Sequence, residues 1–315
     1  MTKITLIIAL LLVSASGSMA QEWQTIGFPS NEAITSIIMF DADTGCVATA
    51  DGNFGWTFDR GKSWSRSPDV SIVRLESICF LDKKTGWICG HRGRILFTDD
   101  GGDSWSDQTW PDTLAIFFDI QMINKDTGIA VGMLINDLKS LNSIAIRTTD
   151  GGKNWKELDP MGLSYSEATY DSANKMLYFM SMGRLNYSGD GGRKWKSVIT
   201  LEGPPARTFS ILGTAGLMAG PKGVCGYTVD GGKVWYKNQR TETEHFFSSV
   251  IVDHKRGFIG GLNGLLLYTA DGGRNWQPEY PPKEFTILNM FARDETVYVV
   301  GTDGTIMSKN LKAEK

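Results

Sequence analysis

The sequence predicts an all-β fold, a seven-bladed β-propeller of four-stranded antiparallel blades. Three observations point to it. One eight-residue turn recurs six times along the 315 residues. The copies stand about 40 residues apart, the length of one four-stranded blade. Between them, short aromatic and β-branched runs are bounded by Gly/Asp turns, the pattern of antiparallel strands. No helical period is sustained beyond the first 20 residues, so a helical solenoid is excluded.

The N-terminal segment comes first. Lys3, the ten-residue apolar run from Ile4 to Val13, and the small-x-small site Ser18-Met19-Ala20 form a secretory signal pattern over residues 1–20. A membrane span needs about 20 apolar residues, more than this run supplies. The expectation is export, to a periplasm or beyond, with residues 21–315 as a single propeller domain.

The six turns follow the pattern Ser/Thr-x-Asp-x-Gly-x-x-Trp. Their aspartates and tryptophans are Asp59 and Trp64, Asp100 and Trp105, Asp150 and Trp155, Asp190 and Trp195, Asp230 and Trp235, and Asp271 and Trp276. The aspartates are spaced 41, 50, 40, 40 and 41 residues apart. In the second unit, Ser77 to Phe80, Trp87 to Gly90 and Arg94 to Thr98 read as three strands, and the turn TDDGGDSW leads to a fourth.

The ends of the chain supply the seventh blade. The 44 residues after Asp271 and the 38 that run from Gln21 up to, but not including, Asp59 make two repeats of 41 with one visible step. Trp23 stands 41 residues before Trp64, and Asn310 is aligned with the missing aspartate. The last blade is expected to take three strands from about Phe285 to Asn310 and its fourth from Trp23 onward. Such closure leaves no open sheet edge.

The turn has a structural task. Glycine permits positive φ, aspartate accepts hydrogen bonds from turn amides, and tryptophan buries a large ring between sheets. An active site is built once, so sixfold repetition argues against catalysis. The turns also lack the alternating oxygen ligands and closing Glu of a calcium loop. His91, His245 and His254 are the only histidines, too scattered for a metal centre. No metal and no cofactor is expected.

These segments resemble Asp-box, or BNR, repeats. The longer unit GWICGHRGRILFTDDGGDSW, Gly86 to Trp105, is similar to the repeat of the photosystem II stability/assembly factor family. The resemblance covers nearly the whole mature chain. It implies an exported seven-bladed propeller that binds and helps assemble membrane protein complexes, without catalysis. The partner is then a protein or protein complex, and a membrane-associated one is within that range. The formal charge of −3, or −4 once Lys3 is removed with the leader, argues against nucleic acid as the partner.

A carbohydrate-active propeller, sialidase-like or another glycoside-hydrolase type, is the alternative, since Asp boxes also occur there. Its chemistry needs placed carboxylates or a Tyr nucleophile. Asp137, Glu242, Glu244 and Glu279 are loop candidates. The Arg-Ile-Pro segment of sialidases is missing, and so is a Gly-x-Ser-x-Gly elbow. Cys79 and Cys89 fall opposite each other if Leu81 to Gly86 is a hairpin turn, which leaves a disulfide or two buried thiols open. Cys46 and Cys225 read as buried thiols.

Strand alternation assigns the faces. Asp boxes and the first turns of each blade share one face. The middle turns and the connections between blades share the other, where irregular loops concentrate function. The partner-binding candidates there are His91, Arg92, Trp110, Arg184, Arg207, Arg240, His245 and Tyr280. Trp, Tyr and Arg are enriched in interface hot spots. The extra length of the third unit falls in Met133 to Ile144, expected as an insertion on this face.

Overall fold

The computed structural model describes residues 22–67, 70–137, 140–158, 165–181, 183–238, 240 and 243–312. The expected leader lies outside them. Among the described residues, no helix is long and apolar enough to cross a membrane. They form seven four-stranded antiparallel sheets. Blades 1 to 6 span residues 34–67, 75–107, 115–157, 165–199, 208–238 and 246–279, each running from inner to outer strand in chain order. In blade 2 the strands are Leu75–Phe80, Gly86–Gly90, Ile95–Thr98 and Ser106–Asp107. Their middle members are apolar but for Thr98 and are mostly buried, because both faces of a blade are covered. The apolar clusters accordingly lie between neighbouring blades: Phe54 and Trp56 of blade 1 pack with Leu75, Ile78 and Ile88 of blade 2.

Blade 7 is composite. Ile287–Arg293, Thr296–Gly301 and Thr305–Asn310 come from the C-terminal end, and Gln24–Gly27 adds the outer strand. Gln24 pairs with Ser308 and Gly27 with Thr305. Trp23 is buried, meets the Phe258 ring edge-on at 5.9 Å and donates from Nε1 to Glu279 Oε2 at 2.9 Å. The ring is closed by the termini, as the residue count predicts.

The register corrects the place given to Asn310. Ser308 stands opposite Gln24 as Tyr268 stands opposite Gln277. Lys309 therefore takes the place of the box threonine, and Leu311 that of the aspartate. Asn310 instead donates to Thr296 Oγ1 at 2.9 Å. Lys309 is buried and pairs with Glu279 at 3.0 Å. An ion pair occupies the position where the other blades carry a box hydroxyl.

Each box is a closed hydrogen-bond cage. Thr269 Oγ1 donates to Asp271 Oδ1 at 2.9 Å and accepts from Gly273 N at 2.8 Å. Asp271 also accepts from Asn275, through its amide at 2.9 Å and its side chain at 2.7 Å. Hydrogen bonds of this kind hold Asp100 down at about 2, the Ser104 hydroxyl contributing most. Gly272 and Gly273 take φ of 75° and 92°. In the first box Arg60 replaces the first glycine at φ 67° and pairs with Asp43 at 2.7 Å.

Two further expectations take definite form. The bridge between Cys79 and Cys89 does not form, and all four cysteines are free and buried. The hairpin register sets Cys79 opposite Trp87 and Cys89 opposite Ser77, two residues away from direct opposition. The extra length of blade 3 is a hairpin extension: Gly128–Asp137 and Ser140–Thr148 stay paired out to Asp137 and Ser140.

Candidate functional site

A β-bulge interrupts the inner strand in six blades. The register slips between Ile34 and Ser36, Leu75 and Ser77, Phe117 and Asp119, Tyr165 and Glu167, Phe246 and Ser248, and Ile287 and Asn289. A bulge leaves one residue out of the ladder and re-aims its side chain. Thr35, Glu76, Phe118, Phe247 and Leu288 are such residues, and all line one cavity of about 450 Å³. Arg207 lines it from blade 5. Because these residues come from around the ring, the cavity is the mouth of the central channel. Arg207 precedes its inner strand and the five bulge residues fall in the first half of theirs, so the mouth lies on the face of the inter-blade connections.

The residue after each bulge is polar: Ser36, Ser77, Asp119, Glu167, Ser248 and Asn289, with Thr208 in the matching place. The reason is the unpaired edge of an inner strand, whose backbone groups need partners. Neighbouring blades supply them. Ile78 N donates to Ser36 Oγ at 3.3 Å, Ala168 N to Asp119 Oδ2 at 2.8 Å and Phe209 N to Glu167 Oε2 at 2.7 Å. Asp119 also accepts from Ser77 Oγ at 2.5 Å and Ile120 N at 2.8 Å. Burial pushes Asp119 up to about 6 against these bonds. Burial, then the charge of Asp119, pushes Glu167 up to about 8.

Glu76 behaves differently. Its Oε1 accepts from Arg74 Nε at 2.7 Å and lies 2.9 Å from His91 Nε2. Burial raises its carboxyl, and the bonds and charges of His91 and Arg74 outweigh it, so Glu76 stays below the usual carboxylate range. Arg207 lies over the Phe247 ring at 4.7 Å. Burial lowers its pKa, and the charges of Glu76 and Glu167 oppose that.

The predicted candidates separate into three groups. Arg92, Arg184, Arg207 and Tyr280 are exposed, and of these Arg207 reaches the cavity. Arg92 takes φ 56° at the tip of the turn after Gly90. His91 and Arg240 are engaged internally, His91 by Glu76 and Arg240 by Glu244 at 2.6 and 3.0 Å. Trp110 packs on the cluster between blades 2 and 3, its amide donating to Gly93 O at 2.8 Å. His245 is half-buried, and its carbonyl accepts from Leu262 N at 3.0 Å. Of the acidic loop candidates, Glu244 and Glu279 hold Arg240 and Lys309. Glu242 and the side chain of Asp137 lie outside the described residues.

Sequence reading missed Arg74, Glu76, Asp119, Glu167 and Phe247. A signal existed, since the bulge positions recur at the same interval of about 40 residues as the boxes.

Fold and turns together define an Asp-box propeller with a polar, open channel mouth. A family model described as photosynthesis system II assembly factor YCF48 matches residues 15–156 and 208–280, more than half of the chain. The chain belongs to that family. Among solved structures, "YCF48 bound to D1 peptide" superposes with a TM-score of 0.73 at 19% identity, covering 91% of this chain and 96% of the other. "YCF48 from Cyanidioschyzon merolae" gives 0.73 at 14%, covering 92% and 99%. The WD40 propeller domain of Doa1 gives 0.69 at 11%, covering 91% and 96%. At these identities the likeness speaks for the fold. A comparison with curated protein sequences finds no match.

Proposed function

We propose that this protein is an exported, non-enzymatic assembly factor that holds a peptide segment of a partner protein on the face opposite the Asp boxes, at the channel mouth. The observation that carries the reading is the mouth itself: a cavity of about 450 Å³ that Phe118, Met133, Phe247 and Leu288 line together with Arg74 and Arg207. Such a lining suits a segment with bulky apolar side chains next to carboxylates, which arginine binds through charge-assisted, often bidentate bonds. A similarly folded protein has been solved with a D1 peptide, which supports a peptide as the ligand class.

The carbohydrate reading draws on Asp119 and Glu167, which share the cavity. Both are held by backbone amides of the next blade, which supports a scaffolding role for them instead.

The test is capture of partners from a native envelope fraction by wild type, Arg207→Glu, Arg92→Glu and Arg274→Glu. Arg274 sits in a box turn on the other face. Loss of the captured protein in the first two variants alone is expected. Loss in Arg274→Glu alone would place binding on the box face. Glycan cleavage by the wild type would revive the hydrolase reading.

A further inference from the structure

We propose that Glu76 is the positioning residue of the mouth: its carboxylate fixes the Arg74 guanidinium and the turn that presents Arg92, and so decides how anionic groups of a partner are received. The inference rests on the peptide-binding reading above.

Four observations converge on Glu76. It is the bulged residue of blade 2, turned out of the ladder into the cavity. The bulge residues Thr35, Phe118, Phe247 and Leu288 carry no charge. One oxygen of Glu76 is shared by Arg74 Nε at 2.7 Å and His91 Nε2 at 2.9 Å. The backbone repeats the link, since His91 N donates to Arg74 O at 2.9 Å. His91 also bridges to Ile116 of the next blade, and Gly93 N donates to Ala115 O at 2.7 Å. The turn is thus tied at its base, and Arg92 stands at its tip with φ 56°.

Arg74 uses Nε on Glu76, and its terminal amino groups make no hydrogen bond among the described residues. A guanidinium held by one edge presents the other in a fixed plane, the arrangement that favours bidentate contact with a carboxylate.

The sign of one substitution separates positioning from bulk charge. Glu76→Gln keeps the shape and removes a negative charge from a mouth proposed to bind anions. If Glu76 acts only through its charge, the variant binds anions more tightly. If it positions Arg74 and the turn, the variant binds more weakly, by about tenfold for one lost charge-assisted bond. The probe is a fluorescein-labelled peptide of alternating Glu and Phe, measured by anisotropy. Arg74→Lys, which keeps the charge and loses the planar edge, is expected to weaken binding similarly.

A second readout needs no ligand. Amide hydrogen exchange at His91 and Gly93 is expected to quicken about tenfold in Glu76→Gln, while Gly273 in a box turn keeps its rate. Unchanged exchange at His91, or tighter probe binding in Glu76→Gln, would overturn the proposal. If the wild type fails to bind the probe while His91 exchange quickens in the variant, the acidic-peptide reading falls and the positioning role stands.

Discussion

Six box turns hold their serine or threonine and aspartate in nearly one geometry, whereas at the channel mouth the residue presented changes from each blade to the next in the ring. In the boxes, the hydroxyl-to-carboxylate distances lie between 2.7 and 2.9 Å. At the mouth, the bulge residues are threonine, glutamate, phenylalanine and leucine. The difference teaches where each face gets its order. A box satisfies its hydroxyl and its carboxylate within eight residues, so that part can be copied unchanged. The mouth is satisfied across blades, by Ser36, Asp119 and Glu167 reaching the next inner strand. Its residues are therefore free to differ as long as each edge finds a partner.

Blade 7 is the severest place to break this division, because it keeps the seam and lacks the box. Trp23→Ala is expected to cost about 3–5 kcal/mol, the range for deleting a large aromatic from a core. It also frees Glu279 from one of its two partners. Thermal melting checks it. A loss no larger than that of Lys312→Ala would mean that closure does not depend on this ring.

The mouth can be stressed through pH. Asp119 and Glu167 have carboxyls raised to about 6 and about 8 in the folded chain. Unfolding returns them to ordinary values, so the unfolded chain binds fewer protons across that window. Stability contributed by the two acids should fall as pH rises from about 4 to about 8, then level off. Glu167→Gln should flatten the fall, and melting curves at pH 5 and pH 8.5 show it. A wild-type profile that climbs over this range, with no change in Glu167→Gln, would reject the assignment.

Box removal should matter less. Asp271→Ala deletes acceptors for the Asn275 amide and side chain and for Thr269. The expected drop is roughly 2–4 °C in Tm, that of a local loss of about 1 kcal/mol in a chain of this size. The smallest effect on folding belongs to Arg92→Glu. An exposed charge at a turn tip contributes about 0.5 kcal/mol or less, so its melting curve should overlay the wild type while partner capture falls. A large loss of stability would make Arg92 part of the fold.

The ring was legible because its repeat is carried by residues with a fixed task. The Asp-Gly-Gly turns and Trp23 have the same job wherever they stand, so spacing alone gave seven blades and their closure. Asn310 was misplaced by one residue because blade 7 has no box to anchor the alignment, and Lys309 fills the gap by an ion pair. Cys79 and Cys89 stay open in the sequence because a hairpin register depends on where pairing begins, here Phe80 with Gly86. The mouth was hidden for a different reason. A bulge is marked only by its spacing, and not by residue type, when its residue is Glu76 in one blade and Phe118 in the next. Arg240 looked available, although Glu244 four residues on was a hint that it is engaged.

The pairing of Gln24 with Ser308 also sets an order in time. A chain is made from its N-terminus, so the first strand to appear is the last to find a neighbour. Six blades can each form from contiguous sequence. The seventh must wait while the whole chain length is gathered, the kind of distant contact that slows folding. Until then Trp23 has no blade to lie against and the Thr305–Asn310 strand shows an open edge. The molecule's slowest event and its most exposed intermediate are expected at the same seam.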